Sequence, residues 1–141
     1  MIYVDTSVIV AALTQEALTA RAQIWLSKQM ADTLVISPWV VTEVSSALAI
    51  KVRAGSLEAA QRAEALAAWK TIQMQSLQVV IVQPSHFEMA ARFVDQERLG
   101  LRAGDALHLA IAADAGYRLA TFDRAMADAG IKLGVPTFAP K

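Results

Sequence analysis

Short apolar runs rich in β-branched residues alternate along the chain with longer stretches of helical periodicity. The runs predicted to be strands are Ile2-Tyr3-Val4, Leu34-Val35-Ile36, Val79 to Val82, Leu119-Ala120 and Thr137-Phe138. The stretches predicted to be helices cover residues 6–13, 16–30, 38–54, 56–76, 85–98, 103–115 and 123–129. Strands that alternate with helices are typical of a parallel sheet covered by helices on both faces. We therefore predict a three-layer α/β fold with a mostly parallel sheet, formed by a single domain over residues 1–141.

Several predicted helix boundaries carry residues that favour the start or end of a helix. Ser37 and Pro38 place a capping serine before a proline at the first helical position. Ser85 and Glu88 have the spacing of a capping box. Four glycines follow predicted helices and are expected to end them: Gly55, Gly100, Gly116 and Gly130.

The helix predicted over residues 103–113 is apolar on nearly every side, which indicates a buried helix. Its only polar residues are Asp105 and His108. An unpaired carboxylate in an apolar interior costs on the order of several kcal/mol. Asp105 is therefore expected to be paired, protonated, capping a helix, or bound to a cation.

The composition narrows the classes of protein to which the chain can belong. Hydrophobic residues make up 55% of the sequence, which excludes a disordered chain and predicts exposed apolar surface and a homodimer. Trp25 and Trp69 are expected to lie exposed on amphipathic helices, where they would pack against other helices or a partner. Cysteine is absent, which excludes disulfides, zinc–thiolate sites, iron–sulfur clusters and cysteine nucleophiles.

Charge and hydropathy along the chain bear on location and partners. No apolar run approaches the ~18 residues of a membrane-spanning helix, and the first residues lack the basic region of a signal peptide. We therefore expect a cytoplasmic protein without membrane attachment. Thirteen basic residues balance thirteen acidic ones, so any binding of nucleic acid must use a local patch of charge.

Four acidic residues are predicted to meet at one edge of the sheet. Asp5 directly follows the first strand, and Asp123 comes just after the strand at 119–120. Asp105 opens the helix that leads into that strand, and Glu43 lies about one turn into the helix after the second strand. Because ligands of open α/β sheets bind beyond the carboxyl ends of the strands, these positions indicate a functional site.

Carboxylates gathered in this way repel one another, and a hard divalent cation with oxygen ligands would neutralise them. Mg²⁺ or Mn²⁺ fits this donor set. Zinc usually recruits cysteine or histidine, and His86 and His108 are not spaced as a pair of ligands. Two ions about 3.5–4 Å apart would be expected to activate water and stabilise an in-line phosphodiester displacement.

Each acid also has an explanation that involves no catalysis. Asp5 and Asp123 are suited to cap helices, Asp105 is suited to the first turn of its helix, and Glu43 is suited to a solvated position. The joint placement of all four at one sheet edge favours a shared site over four independent explanations.

Four segments of the chain resemble the PIN-domain ribonucleases, and among them the VapC toxins of toxin–antitoxin pairs. They are Tyr-Val-Asp-Thr-Ser at residues 3–7, Thr-Glu-Val-Ser-Ser-Ala-Leu at 42–48, Arg-Ala-Gly-Asp-Ala-Leu-His-Leu-Ala at 102–110 and Ala-Thr-Phe-Asp at 120–123. Their order and spacing agree across essentially the whole chain. The resemblance implies a PIN-like fold and a metal-dependent endoribonuclease that pairs with a small antitoxin protein.

The resemblance also assigns roles to residues of this chain. It implies that Asp5 and Asp105 hold the principal ion, while Glu43 and Asp123 complete the acidic pocket directly or through water. Ser7, and less directly Thr6, match a hydroxyl that commonly follows the first acid and orients a ligand or water. An ordinary hydroxyl at a helix start is the alternative for Ser7.

Three further residues have two explanations each. Arg102 matches a basic position often seen in the toxins and would meet the scissile phosphate, or it is a solvated surface arginine. His108 is more often a hydrogen-bonded core histidine than a catalyst on an apolar helix. Trp39 lies one turn before Glu43, and packing is favoured over stacking on an RNA base.

Other functions fit the sequence less well. A haloacid dehalogenase phosphatase needs a second aspartate two residues after the first, where this chain has Ser7. A receiver domain needs adjacent acids after the first strand and an aspartate after a middle strand, and a nucleotide-binding loop needs a glycine-rich motif; neither pattern is present. The remaining rival is a PIN-like module that binds RNA or a protein without cleaving, which a small antitoxin gene immediately upstream would disfavour.

Overall fold

Five short strands build a single parallel sheet in the computed structural model, which describes residues 1–30 and 32–141. The strands are β1 (Ile2–Val4), β2 (Leu34–Ile36), β3 (Leu77–Val79), β4 (Arg118–Ala120) and β5 (Thr137–Phe138). Their order across the sheet is β3-β2-β1-β4-β5, and every pairing is parallel. Tyr3 of the central strand pairs with Val35 on one side and Leu119 on the other, and all three side chains are fully buried.

Seven α-helices in the described part of the chain connect and cover the strands. They are α1 (Thr6–Leu13), α2 (Thr19–Ser27), α3 (Pro38–Arg53), α4 (Ala59–Ser76), α5 (Pro84–Val94), α6 (Ala103–Asp114) and α7 (Arg124–Lys132), with a 3₁₀ turn at Glu97–Leu99. The three-layer α/β fold predicted from the alternating pattern is therefore confirmed. The predicted buried helix is α6, whose residues from Ala106 to Ala112 are all buried. No helix in the described ranges is long and apolar enough to cross a membrane.

Some predicted boundaries were wrong. The strand predicted at Val79 to Val82 lies instead at Leu77–Val79, because its ladder is limited to the three residues of β2 beside it. It is an edge strand, and Val79 and Ile81 are more than half exposed. Helix α5 begins at Pro84, so the capping box is formed by Gln83 and His86 and not by Ser85 and Glu88.

Two tryptophans expected to be exposed are in fact buried. Trp25 is 8% exposed and Trp69 is 3% exposed. The Trp25 ring packs edge-on against Phe138, with 6.0 Å between ring centroids. Helices α2 and α4 thus turn their indole rings into the core, so these side chains cannot form a partner surface.

Gly130 lies inside α7 and does not end it, contrary to the prediction. A Cβ atom built at this position would overlap Cγ2 of Thr137 in β5, so the glycine permits close packing of helix and strand. The left-handed residue that follows α7 is Gly134, with φ of +77°.

Candidate functional site

The four acidic residues line one cleft beyond the carboxyl ends of the central strands. Asp5, Glu43, Asp105 and Asp123 share this cleft, which has a volume of about 270 Å³. Asp5 follows β1 and Asp123 follows β4, so the parallel pairing of these two strands brings their ends together. Helices α3 and α6 supply the other two carboxylates. The predicted convergence is observed, while the catalytic and metal-binding roles of these residues stay predictions.

Asp5 is fixed by three donors on one of its oxygens. Its Oδ2 accepts hydrogen bonds from the Ser7 backbone N–H at 3.2 Å, the Ser7 hydroxyl at 2.5 Å and the Thr121 hydroxyl at 2.8 Å. Asp5 is the N-cap of α1 and only 3% exposed. Its second oxygen, Oδ1, lies 3.4 Å from Nε2 of His108. Ser7 and Thr121 therefore hold Oδ2 in place, and Oδ1 lies toward His108 of the cleft.

Glu43 shows the same division between its two oxygens. Its Oε2 accepts hydrogen bonds from the Thr6 hydroxyl and from Nε2 of His108, each at 2.6 Å. Burial alone would raise the pKa of Glu43, but the hydrogen bond and charge of His108, with the Thr6 hydroxyl, lower that pKa below its ordinary value. Glu43 is therefore held ionised.

Asp105 and Asp123 each cap a helix with one oxygen. Oδ2 of Asp105 accepts the Arg102 backbone N–H at 3.2 Å, and Oδ1 of Asp123 accepts the Met126 backbone N–H at 3.0 Å. Burial raises the pKa of Asp105; the Arg102 N–H opposes this, and the charges of Asp123 and Asp5 raise the pKa further. The capping explanation is therefore correct for both residues, and both still face the shared cleft.

His108 is at the centre of the site, a position that the sequence reasoning underestimated. The side chain is 1% exposed, and its Nδ1 lies 2.9 Å from the Tyr3 hydroxyl, which in turn lies 2.7 Å from the Ser37 hydroxyl. Burial would lower the pKa of His108, but the Glu43 hydrogen bond and the charges of Asp5, Glu43 and Asp105 raise it above its ordinary value. His108 is hydrogen-bonded and buried, as expected of a core histidine, yet its partners are site carboxylates.

One ligand atom each from Asp5, Glu43 and His108 lie within 4.8 Å of one another, a grouping compatible with a metal ion. Asp105, predicted to share the principal ion with Asp5, lines the same cleft but is not a member of this tight group. For His108, the available sequence signal was its spacing of three residues from Asp105. This spacing places both side chains on one face of α6.

The other residues singled out from the sequence are distributed around the cleft or away from it. Arg102 is exposed at the N-cap of α6. Trp39 is partly buried and borders a separate apolar groove of about 390 Å³ with Phe87 and Val94. His86 lies outside the site, where Asp114 is its partner at 3.1 Å.

Thr121 is a site residue that the sequence reasoning did not single out. Besides donating to Asp5, its Oγ1 accepts the backbone N–H of Asp123 at 2.9 Å. This hydroxyl therefore ties two of the four acids to each other. Its sequence signal was its place two residues before Asp123, within the segment at residues 120–123 that resembles the PIN-domain ribonucleases.

The residues present fit a divalent cation. Among the described residues that line the cleft there are four carboxylates and no lysine or arginine. Each carboxylate has one oxygen bound to donors of the scaffold and a second oxygen outside those bonds. A hard ion such as Mg²⁺ or Mn²⁺ prefers this kind of oxygen donor.

Comparison with known proteins agrees with this geometry. The family model described as the PIN domain matches residues 2–132. No curated protein sequence matches the chain. Among solved structures, VapC20 of Mycobacterium tuberculosis, described as a sarcin–ricin loop cleaving toxin, is similar with 22% identity and a TM-score of 0.75 over 92% of this chain and 95% of that one.

Two further structures have the same fold. FitAcB from Neisseria gonorrhoeae is 19% identical, with a TM-score of 0.71 over 99% of this chain and 98% of that one. VapBC2 from Rickettsia felis, solved bound to a DNA fragment from its promoter, is 15% identical, with a TM-score of 0.66 over the full length of both chains. The family model covers more than nine-tenths of the sequence, so this chain belongs to the PIN domain family.

Proposed function

We propose that the chain is a metal-dependent endoribonuclease and the toxin of a toxin–antitoxin pair. The observation that carries the proposal is the cleft in which all four carboxylates keep one oxygen outside their scaffold hydrogen bonds. Anchored carboxylates whose second oxygens lie outside these hydrogen bonds are what a preorganised cation site requires. The fold is similar to that of VapC20, which is described as a toxin that cleaves the sarcin–ricin loop.

In this proposal Asp5 and Asp105 hold the principal ion, and Glu43 and Asp123 complete the acidic pocket. When bound, Mg²⁺ or Mn²⁺ would supply Lewis-acid stabilisation of a phosphodiester and would lower the pKa of water. Thr121 and Ser7 fix the orientation of Asp5 through its Oδ2. His108 and Thr6 fix Glu43 through its Oε2. These contacts hold the carboxylates in place before substrate arrives.

Arg102 supplies positive charge at the start of α6, the helix that brings Asp105 and His108 into this cleft. It is exposed and immediately precedes α6, whose first turn carries Asp105. In a protein with no net charge, a local arginine is suited to contact the RNA backbone. The bound substrate is proposed to be single-stranded or loop RNA in the cytoplasm.

The proposed protein partners are a small antitoxin and a second copy of the chain. FitAcB and VapBC2 are the similar structures that support an antitoxin partner. Because Trp25 and Trp69 are buried, the dimer surface must use other apolar residues, and Phe87 and Val94 are 57% and 38% exposed beside the apolar groove. This exposure agrees with the self-association predicted from composition.

The alternative is a PIN-like module that binds RNA or a protein without cleaving it. The complete set of anchored carboxylates favours the enzyme, since binding alone would not require a cluster of like charges.

The test is RNA cleavage by purified protein in Mg²⁺ or Mn²⁺, with and without excess EDTA. We expect cleavage that is lost in EDTA and restored when Mn²⁺ is added back. Asp5→Asn, purified in parallel, should be inactive and so controls for contaminating nuclease, while Asp128→Asn on the exposed side of α7 should remain active. Undiminished cleavage in excess EDTA would overturn metal dependence, and RNA binding without cleavage in any metal would favour the alternative.

A further inference from the structure

Gly104 lies against Oε1 of Glu43, the oxygen that does not take part in the hydrogen bonds with Thr6 and His108. A Cβ atom built on Gly104 would lie 2.9 Å from Oε1 of Glu43, closer than a real Cβ contact. The next atoms that it would meet belong to the Trp39 indole, Nε1 at 3.4 Å and Cζ2 at 3.6 Å. The missing side chain of Gly104 therefore provides space that the Glu43 carboxylate and the Trp39 ring share.

The backbone does not explain why this residue is glycine. Four of the six glycines have positive φ, which favours glycine: Gly55, Gly100, Gly116 and Gly134. Gly130 permits contact with β5. Gly104 instead lies in the first turn of α6 with ordinary helical geometry, where alanine is a better helix former. A requirement for glycine at this position must therefore come from the neighbouring side chains.

Glu43 cannot move away from an added methyl group without losing other contacts. Its Oε2 is held by Thr6 and His108, both at 2.6 Å, and the Trp39 ring borders the same space. A methyl group at position 104 would either cover Oε1 or rotate the carboxylate away from these two donors. Both outcomes change the oxygen that is available for a cation.

We propose that Gly104 is a positioning residue, whose lack of a side chain keeps Oε1 of Glu43 available for the divalent ion. This inference rests on the proposed metal-dependent function. It assigns to Gly104 no contact with RNA or with the reacting atoms. Its effect is exerted through Glu43.

The test is Gly104→Ala, measured first by Mn²⁺ binding, for example from the electron paramagnetic resonance signal of free Mn²⁺. We expect the variant to fold, because alanine at position 104 favours helix. We expect its Mn²⁺ affinity to fall at least about tenfold, the scale seen when residues that support metal ligands are altered. Ala103→Ser, an exposed neighbour in the same turn, is the matched control and should bind Mn²⁺ like the wild type.

A second pair of variants separates an effect through Glu43 from general damage. In a Glu43→Ala background there is no carboxylate to displace, so adding Gly104→Ala should leave both the Mn²⁺ affinity and the melting temperature of Glu43→Ala unlowered. A further loss in the double variant, or wild-type affinity in Gly104→Ala alone, would overturn the proposal.

A structure of metal-free Gly104→Ala distinguishes this inference from the proposed function. A Glu43 carboxylate displaced from its wild-type position would support the positioning role even if the wild-type protein bound no Mn²⁺, which would overturn the proposed function alone. An unmoved Glu43 carboxylate would overturn the positioning role and leave the proposed function intact.

Discussion

Asp105→Asn removes one charge from the carboxylate cluster while changing little else. Asparagine keeps nearly the same volume and keeps an oxygen that can accept the Arg102 backbone N–H now bound at 3.2 Å. The cap of α6 is therefore retained. The substitution tests the charge of Asp105 separately from its hydrogen bond.

The direction of the pKa shift sets the sign of the stability change. The pKa of Asp105 is raised by burial and by the charges of Asp123 and Asp5, so the ionised form is less favourable in the folded protein than in the unfolded chain. This penalty is present in full above the folded-state pKa. It disappears as the pH falls below the ordinary value of 3.8, where both states are protonated. At neutral pH the asparagine variant should therefore be the more stable metal-free protein.

The expected gain in the free energy of unfolding is small because two effects oppose each other. Loss of a favourable interaction with the helix N-terminus costs about 0.3–1 kcal/mol. The raised pKa indicates that relief of burial and repulsion exceeds this cost. We expect a net gain on the order of 0.5 kcal/mol, which corresponds to a rise of about 2 °C in melting temperature for a domain of this size.

Thermal melts at neutral pH, in EDTA and in Mn²⁺, combined with a cleavage assay, test this reasoning. In EDTA the variant should melt above the wild type; in Mn²⁺ the wild type should gain stability through binding while the variant gains little. The variant should also lose cleavage. Asp128→Asn serves as the control for an exposed helical charge. A destabilised variant that cleaves RNA at the wild-type rate would refute the role of Asp105 in the metal site.

Two further outcomes follow from the proposed site and partners. Arg102→Ala should weaken cleavage at subsaturating RNA, and more at low salt than at high salt, because salt screens the single phosphate contact that the substitution removes; unchanged cleavage across a salt titration would make Arg102 an ordinary surface residue. The chain should form a homodimer at micromolar concentration in light scattering, and Phe87→Ser should shift it toward monomer; a wild-type monomer at that concentration would contradict the dimer.

The fold was predictable because its signals are local. Alternating strand and helix patterns gave the parallel sheet, and the apolar segment at 103–113 gave the buried helix α6. Side-chain exposure was less predictable, because whether Trp25 and Trp69 face the core depends on how α2 and α4 rotate against the sheet. The limits of β3 depend on its neighbour β2, which the run at 79–82 does not reveal.

The acids of the site were predictable for a related reason: their positions relative to the strands fix the sheet edge at which they meet. The role of His108 was not, because its contacts come from Tyr3 and Glu43, which are 105 and 65 residues away in the sequence. A histidine on an apolar helix has no local signal that distinguishes a core hydrogen bond from a contact with site carboxylates. The same holds for Thr121, whose partner Asp5 is 116 residues away.

A carboxylate of this site can cap a helix and also take part in the site, so the two explanations do not compete. Three aspartates each use one oxygen to accept a backbone N–H at or near the start of a helix: Asp5, Asp105 and Asp123. All three also line the common cleft. A cap orients a carboxylate and holds it in place, which is what a cation site needs from its ligands before the ion binds. Substitution by alanine removes cap and ligand together, so a loss of activity in such a variant cannot be assigned to either. Substitution by asparagine keeps an acceptor for the cap and removes the charge, so it separates the stability of the helix start from the chemistry of the cleft.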